Sequence, residues 1–331
     1  MIRLKMKTAG RMGNQLKKKL KLKLISLAAA IIIPYMGLVL LLMFLLPFAG
    51  ASNEISIARG FDIPHEYLTK AYDKAMQHNI DFAYLLTISA VEACFDPEGF
   101  DDVVLETATN KALIGSVFDL EEEELGIYNV YVQYYNDIFA SPIAQGLETI
   151  TKRQVVVTVP GKFKEDGSPV TRTETVTDTS TKYYSYTSYD DFGDAREYGG
   201  DRPHQGNDLM TAAGTPIICI AEGIITNIGW NEFGGNIVGI NTSRGTYFYY
   251  AHMSGYAGDL AEGDFVRAGD LIGYVGDTGY GPPGTSGKFA PHLHLQIGVK
   301  VDDMEEYLWI APYNIVKFLD GFRVMLREED W

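Results

Sequence analysis

The sequence has few cysteines, and this scarcity limits how the protein can be stabilised. Only two occur in 331 residues, Cys94 and Cys219, and they lie far apart in different sequence surroundings. A disulfide framework is therefore excluded, and a single bridge is not expected. Stability must come from packing, and a hydrophobic content of 46% with 12% aromatic residues excludes a wholly disordered chain.

Basic residues are also scarce beyond the amino terminus. Of the 28 Lys and Arg residues, nine precede residue 24, so residues 52–331 carry 19 basic groups against 43 acidic ones. A protein that binds a phosphate backbone needs a cationic face. We therefore expect no nucleic-acid partner for the main body of the chain.

Charge is missing altogether from residues 24–51. This uncharged, mostly apolar run exceeds the roughly 20 residues that span a bilayer, and it predicts a transmembrane helix. The basic segment 1–23 predicts a cytoplasmic amino end, with everything after residue 52 across the membrane. The small-x-small motif that ends at Ala51 leaves a cleaved signal segment as the alternative to a retained anchor.

The pattern after the apolar run predicts a multidomain α+β protein. Residues 52–150 form a small α-helical region, with helices predicted over residues 82–93 and 120–139. Residues 151–189 are β-branched and Thr-rich around a turn, which indicates a hairpin or an extended linker. Residues 190–331 alternate short β-rich runs with Gly turns, so a mainly antiparallel β-sheet domain is predicted there.

Histidine is scarce as well, with six residues, of which four lie between positions 204 and 294. His204 and Asp208 flank a glycine that disfavours a helix, so they must converge through a turning backbone. His292 and His294 are two apart, and on a strand both would point to the same face. Zinc binds imidazole and carboxylate, and catalytic sites leave a fourth position to water. These residues predict a zinc site made by His204, Asp208 and one histidine of the pair.

The motifs H-x-x-x-D and H-x-H resemble those of the lysostaphin-type zinc metallopeptidases. That family has a third histidine after an aromatic strand, here His252, and the resemblance covers residues 191–314. It implies that His204, Asp208 and His294 hold Zn²⁺ and that His252 and His292 assist the chemistry. Which of these two accepts a proton and which stabilises the oxyanion stays open.

Two further features qualify this resemblance. Tyr198 lies where the family often has a hydroxyl that stabilises the transition state, although packing at a rim is an equal alternative. Relatives pass quickly to the histidine pair, whereas this chain inserts the Gly/Pro-rich residues 280–290. This insertion predicts a wall of the substrate groove, so the cleavage specificity of relatives cannot be transferred.

Residues 80–97 carry a second resemblance, to the opening helix of the lytic transglycosylases of lysozyme-like fold. Glu92 occupies the position of the catalytic acid in that family. The Gly-Leu-Met-Gln type of segment that should follow is missing between residues 101 and 120. The alternative is a structural glutamate at the end of a helix in a small spacer.

Together the resemblances imply a membrane-anchored bacterial cell-wall hydrolase, a zinc endopeptidase that cleaves the peptides of peptidoglycan. It would be single-pass with its C-terminal domains outside, or secreted if cleaved after Ala51. The combination also resembles wall-opening proteins of conjugative elements in Gram-positive bacteria, which implies envelope or conjugation machinery as partners. The alternatives are an inactive member of the family, a noncatalytic envelope scaffold that binds wall or partner through the β domain, and an enzyme that mainly cleaves glycan.

Overall fold

The computed structural model describes residues 58–59, 61–136, 138–196, 202–300 and 306–328. The predicted basic segment, the apolar run with its cleavage motif, and Tyr198 lie outside the described residues. Within these ranges no helix is both long and apolar enough to cross a membrane. The described residues belong to one compact unit, Glu54–Trp331.

Helices form the first part of the described chain, as predicted. Asp81 caps the helix Phe82–Glu92 and Asp101 caps the helix Asp102–Ile114, because each carboxylate accepts a hydrogen bond from a backbone N–H three residues later. The helix Asp102–Ile114 was not predicted, since its buried residues other than Leu105 are small or polar and give a weak apolar period. The helices are α1 (His65–His78), α2 (Phe82–Glu92), α3 (Asp102–Ile114), α4 (Glu122–Tyr135) and, after the sheet, α5 (Tyr313–Leu319).

The helical part packs against α5 through aromatic side chains. The Tyr72 ring of α1 lies 5.4 Å from Phe82, 5.7 Å from Phe318 and 5.4 Å from Phe322, measured between ring centroids. Such edge contacts add to the burial of large apolar surfaces. The amide of Gln133 on α4 also bonds both the N–H and the C=O of Lys300 at the end of the sheet. The helices and the sheet therefore share one core.

Strands make up most of the remaining chain, and the prediction of a sheet-rich C-terminal part is confirmed by this architecture. The strands are β1 (Gly146–Phe163), β2 (Pro169–Tyr183), β3 (Ala195–Arg196), β4 (Arg202–Pro203), β5 (Asn207–Met210), β6 (Pro216–Ile218), β7 (Gly223–Asn231), β8 (Gly235–Asn241), β9 (Tyr247–Tyr256), β10 (Phe265–Val266), β11 (Leu271–Val275), β12 (His292–Val299), β13 (Leu308–Ile310) and β14 (Met325–Arg327).

The segment predicted as a hairpin or a linker forms a long hairpin. Strand β1 begins at Gly146, before the expected boundary, and pairs antiparallel with β2. Its first residues also pair in parallel with β14, which follows the sheet domain. The hairpin is thus joined to the end of the chain and does not merely connect two domains.

Within the described ranges the main sheet has nine strands, with the order β10-β7-β8-β9-β11-β6, and β12 pairs with β5, β9 and β13. Every pairing within it is antiparallel. Along β12, Leu293, Leu295 and Ile297 are fully buried. Because side chains alternate between faces of a strand, His292 and His294 face the opposite side.

Candidate metal centre and substrate groove

The register between β5 and β12 brings two of the predicted ligands together. His294 lies directly opposite Asp208, and Leu293 lies opposite Leu209. Both leucines are fully buried. The core therefore fixes the register, because a shift of one strand by one residue would turn its leucine outward and its polar side chain inward.

His204 reaches the same point from the turn between β4 and β5. Its close approach depends on Gly206, where a Cβ would lie 2.5 Å from the Leu295 carbonyl oxygen and 2.8 Å from Cε1 of His294. Only glycine fits this space without a backbone shift. The sequence signal H-x-G-x-D therefore has a steric cause.

The three ligand atoms form a small triangle. His294 Nδ1 lies 2.9 Å from Asp208 Oδ1, His204 Nε2 lies 3.1 Å from the same oxygen, and the two nitrogens are 2.9 Å apart. In tetrahedral coordination with bonds of about 2.0–2.1 Å, ligand atoms lie about 3.3 Å apart. The triangle needs to expand by only a few tenths of an ångström, so this donor set fits a zinc ion.

Two residues that the sequence analysis did not single out hold the ligands in place. Arg196 donates to Asp208 Oδ2 at 2.8 Å and to Asp191 Oδ2 at 3.0 Å. Asp191 also faces His204, whose Nδ1 lies 3.0 Å from the Asp191 carbonyl oxygen. Asp208 is thereby left with Oδ1 for the metal, and His204 with Nε2. No motif marks this pair, although Asp191 is the first residue of the range 191–314 that the family resemblance covers.

His252 and His292 lie beside the triangle and are oriented in the same way as each other. Their ring centroids are 4.7 Å apart. His252 Nδ1 lies 2.8 Å from the Thr278 carbonyl oxygen, and His292 Nδ1 lies 2.8 Å from the carbonyl oxygen of Ala290. A carbonyl only accepts, so each Nδ1 donates its proton there, and Nε2 is the ring nitrogen that remains for the site.

The position of His292 relative to the ligands is also defined. Its Nε2 lies 3.7 Å from Asp208 Oδ1.

His252 adopts a left-handed backbone conformation with φ of 61°, and Tyr280 does so with φ of 56°. Such conformations are costly for residues with a Cβ and tend to occur at functional sites.

The titratable groups at the centre have pKa values shifted in different directions. Burial opposes a charge on His204, but hydrogen bonds with Asp191 and Asp208 outweigh it and raise its pKa to about 9. Burial favours a protonated Asp208, yet hydrogen bonds from His204 and His294 hold its pKa far below the usual range. Burial and the neighbouring histidines lower the pKa of His252 to about 3. Asp208 is thus a carboxylate and His252 a neutral imidazole at neutral pH.

A groove of mixed polarity opens over the centre. The inserted residues 280–290 contribute Tyr280 to its lining. The Phe289 ring of the same segment lies 4.6 Å from His252 and 5.1 Å from Tyr280, measured between ring centroids. The insertion is fixed by hydrogen bonds such as that from Trp230 Nε1 to the Gly281 carbonyl. The groove is lined by Arg196, Arg202, His204, Asp208, Phe233, Gly234, Tyr249, His252, Tyr280, His292, His294 and Gln296.

Two predicted site residues remain, Tyr198 and Glu92. Tyr198 is outside the described residues, so its role stays a prediction. Glu92 is the last residue of α2 and forms an ion pair with Lys111 of α3. The resemblance of residues 80–97 to lytic transglycosylases, and with it the catalytic role of Glu92, also stays a prediction.

An antiparallel sheet that presents a His/Asp/His triangle beside two more histidines defines a candidate catalytic metal site. Residues 202–305 match the model of peptidase family M23. The chain therefore carries a peptidase family M23 domain in those residues.

Individual relatives match about a third of the chain or less. The L-Ala–D-Glu endopeptidase of Bacillus subtilis is 48% identical over 111 residues, which are 34% of this chain and 33% of that protein. Lysostaphin of Staphylococcus simulans is 39% identical over 95 residues, 28% of this chain and 17% of that protein. The matches thus span a third or less of the length of these relatives.

A solved structure resembles more of the chain. A protein of Ruminococcus gnavus, described as a candidate glycyl-glycine endopeptidase LytM, is 28% identical, and the match covers 80% of this chain and 88% of that one with a TM-score of 0.58. This share exceeds the length of the M23 domain, so the likeness also takes in much of the chain before it.

Proposed function

We propose that this chain is a zinc-dependent endopeptidase that cleaves peptide bonds of bacterial peptidoglycan. The observation that carries the proposal is the convergence of His204, Asp208 and His294, whose ligand atoms all lie within 4.8 Å of one another. His252 and His292 lie beside this triangle with Nε2 as the ring nitrogen that remains for the site. The endopeptidases among the relatives and the match of residues 202–305 to peptidase family M23 give further support.

In this proposal the ligands have distinct tasks. His204 Nε2, His294 Nδ1 and Asp208 Oδ1 would hold the ion, while Arg196 and Asp191 keep the second atoms of the ligand groups occupied. When bound, a zinc ion would polarise the scissile carbonyl and lower the pKa of an attacking water. One carboxylate and two neutral imidazoles leave a net positive centre, which suits this chemistry.

Proton transfer falls to the other two histidines. A water that attacks a carbonyl has to lose a proton, and the departing amine has to gain one. His292 Nε2 lies 3.7 Å from the Asp208 ligand oxygen, so it can take that proton and return it to the amine. His252, kept neutral by its low pKa, can share either task or donate to the oxyanion.

The proposal includes a location. Residues 24–51 would anchor the protein in a bacterial membrane, with the peptidase domain outside and within reach of the wall. The uncharged length and its basic flank support this topology. Proteolysis of intact cells would test it: the peptidase domain should be degraded while residues 1–23 stay protected.

The full-length protein in detergent allows a test of the activity. We expect about one equivalent of bound zinc, and release of free amines from purified bacterial cell walls. A chelator should abolish release, and added zinc should restore it. If the protein binds no stoichiometric metal, or binds it yet releases no amines from walls with diverse crossbridges, the noncatalytic scaffold is favoured instead.

A further inference from the structure

Two arginines face each other at the edge of the groove. Arg196 on β3 lies directly opposite Arg202 on β4 in a two-stranded antiparallel ladder. Both side chains line the groove that contains the metal ligands. Like charges placed directly opposite each other destabilise a strand pair unless something compensates them. The partners of the two guanidinium groups therefore matter.

The two arginines differ in the partners that compensate their positive charges. Arg196 is paired with two carboxylates, those of Asp191 and Asp208. Arg202 has no carboxylate partner among the residues that the structure describes, and its Nε is buried without a hydrogen bond. Its guanidinium lies 5.1 Å from the centroid of the Phe233 ring. The ring supports one face of the guanidinium plane, and among the described residues no carboxylate occupies the N–H donors at its edge.

Arg202 is also directed toward the reacting region. It precedes His204 by two residues, and side chains two apart along an extended chain share a face. A planar guanidinium with N–H donors at its edge matches the two oxygens of a carboxylate. The rest of the described unit is strongly acidic, so an anionic substrate finds favourable charge mainly where a local cation meets it.

We propose that Arg202 binds a substrate carboxylate close to the scissile bond, so that the preferred substrate is an acidic peptide rather than an uncharged glycine-rich one. The inference rests on the proposed peptidase function, which it deepens by naming the substrate class. Among the relatives, one is named for an L-Ala–D-Glu bond and another for a glycyl-glycine bond. A glutamyl residue joined through one carboxyl group keeps the other free, whereas a glycyl residue within a peptide has none.

Two synthetic peptides separate these classes. They are identical except that the glutamyl residue after the scissile bond carries a free carboxylate in one and a carboxamide in the other. With the zinc-loaded full-length protein, we expect kcat/KM for the carboxylate peptide to be about 10- to 100-fold higher, the range set by a charge-assisted hydrogen bond. Arg202→Gln should reduce this ratio to near one, and Arg202→Lys should keep part of it.

Arg267→Gln is the matched control, because that guanidinium also lies over a phenylalanine, 5.6 Å from the Phe265 ring, but outside the groove. It should leave the ratio unchanged. Thermal unfolding and zinc content identify a variant that fails to fold. Equal kcat/KM values for both peptides in the unmodified protein, or a ratio that survives in folded Arg202→Gln, would overturn the inference.

Binding distinguishes failure of this inference from failure of the proposed function. Calorimetry with the His292→Ala protein measures affinity for both peptides without turnover, and we again expect the carboxylate peptide to bind at least about tenfold more tightly. If neither peptide is cleaved but this preference depends on Arg202, the carboxylate site is supported and the peptidase function is not. If the two peptides bind equally, the carboxylate site is refuted whatever the activity.

Discussion

The metal triangle and Glu92 were both predicted from the sequence as site residues, but the contacts that hold them in the structure differ greatly. His294 comes from a strand far along the chain from His204 and Asp208, and hydrogen bonds with Asp191 and Arg196 fix which atom of His204 and of Asp208 faces the centre. Glu92 ends a helix, has 26% of its side chain exposed and is held by one ion pair, with Lys111. A constellation that the fold itself assembles is a stronger sign of function than one residue at a matching position.

Asp208→Ala, at the metal triangle, should differ most in its effect from a substitution at Glu92 in the helical part. It removes a metal ligand and leaves two imidazoles that hold the ion weakly, so we expect bound zinc to be lost and amine release from walls to fall roughly a thousandfold or more. Metal content of the purified variant and a wall digest measure both effects. Tight zinc retained by Asp208→Ala would refute the ligand assignment.

Glu92→Gln is the counterpart in the helical part, since it keeps the shape and removes the charge. Zinc content and amine release should stay within about twofold of the unmodified protein, because surface ion pairs contribute little to stability. Release of reducing ends from the same walls tests the predicted glycan-cleaving activity. If Glu92→Gln abolishes reducing-end release while His292→Ala does not, the helical part has an activity of its own.

His292→Ala should separate metal binding from proton transfer at the metal centre. The metal ligands remain, so we expect zinc content to be unchanged, while kcat falls about 100- to 10,000-fold, the range of a general base. Single-turnover digestion of wall peptides measures the loss. A near-normal rate would show that His252 alone moves the proton.

The same contrast explains how much the sequence could predict. The spacing in His292-Leu293-His294 predicts two side chains on one face because strand alternation is local, and the core leucines then fix the register against Asp208. Arg196 and Asp191 could not be found in this way, since their roles depend on a contact between segments that no local pattern records. Pairing of β14 with the start of β1 escaped prediction for the same reason.

The pH dependence of metal binding tests the charge distribution at the triangle. The pKa of His204 is raised to about 9, so its proton is present below that value and has to leave when a metal binds. Apparent zinc affinity of the chelator-stripped protein should therefore rise about tenfold per pH unit, or about 100-fold between pH 6 and pH 8, and level off near pH 9. Competition with a chelating dye measures it, and an affinity independent of pH would contradict the raised pKa.

Among the changes at the metal centre Arg196→Gln should have the smallest effect, and it tests whether the partners of the metal ligands matter. The variant removes the cation that occupies Asp208 Oδ2 and links it to Asp191, so both carboxylates become freer to rotate. We expect zinc affinity to fall about 10- to 100-fold, as is typical for partners of metal ligands, with a smaller loss in Arg196→Lys. If zinc affinity is unchanged in a folded Arg196→Gln protein, the backbone alone positions Asp208, and the contrast with Glu92 then rests on strand register rather than on the surrounding hydrogen bonds.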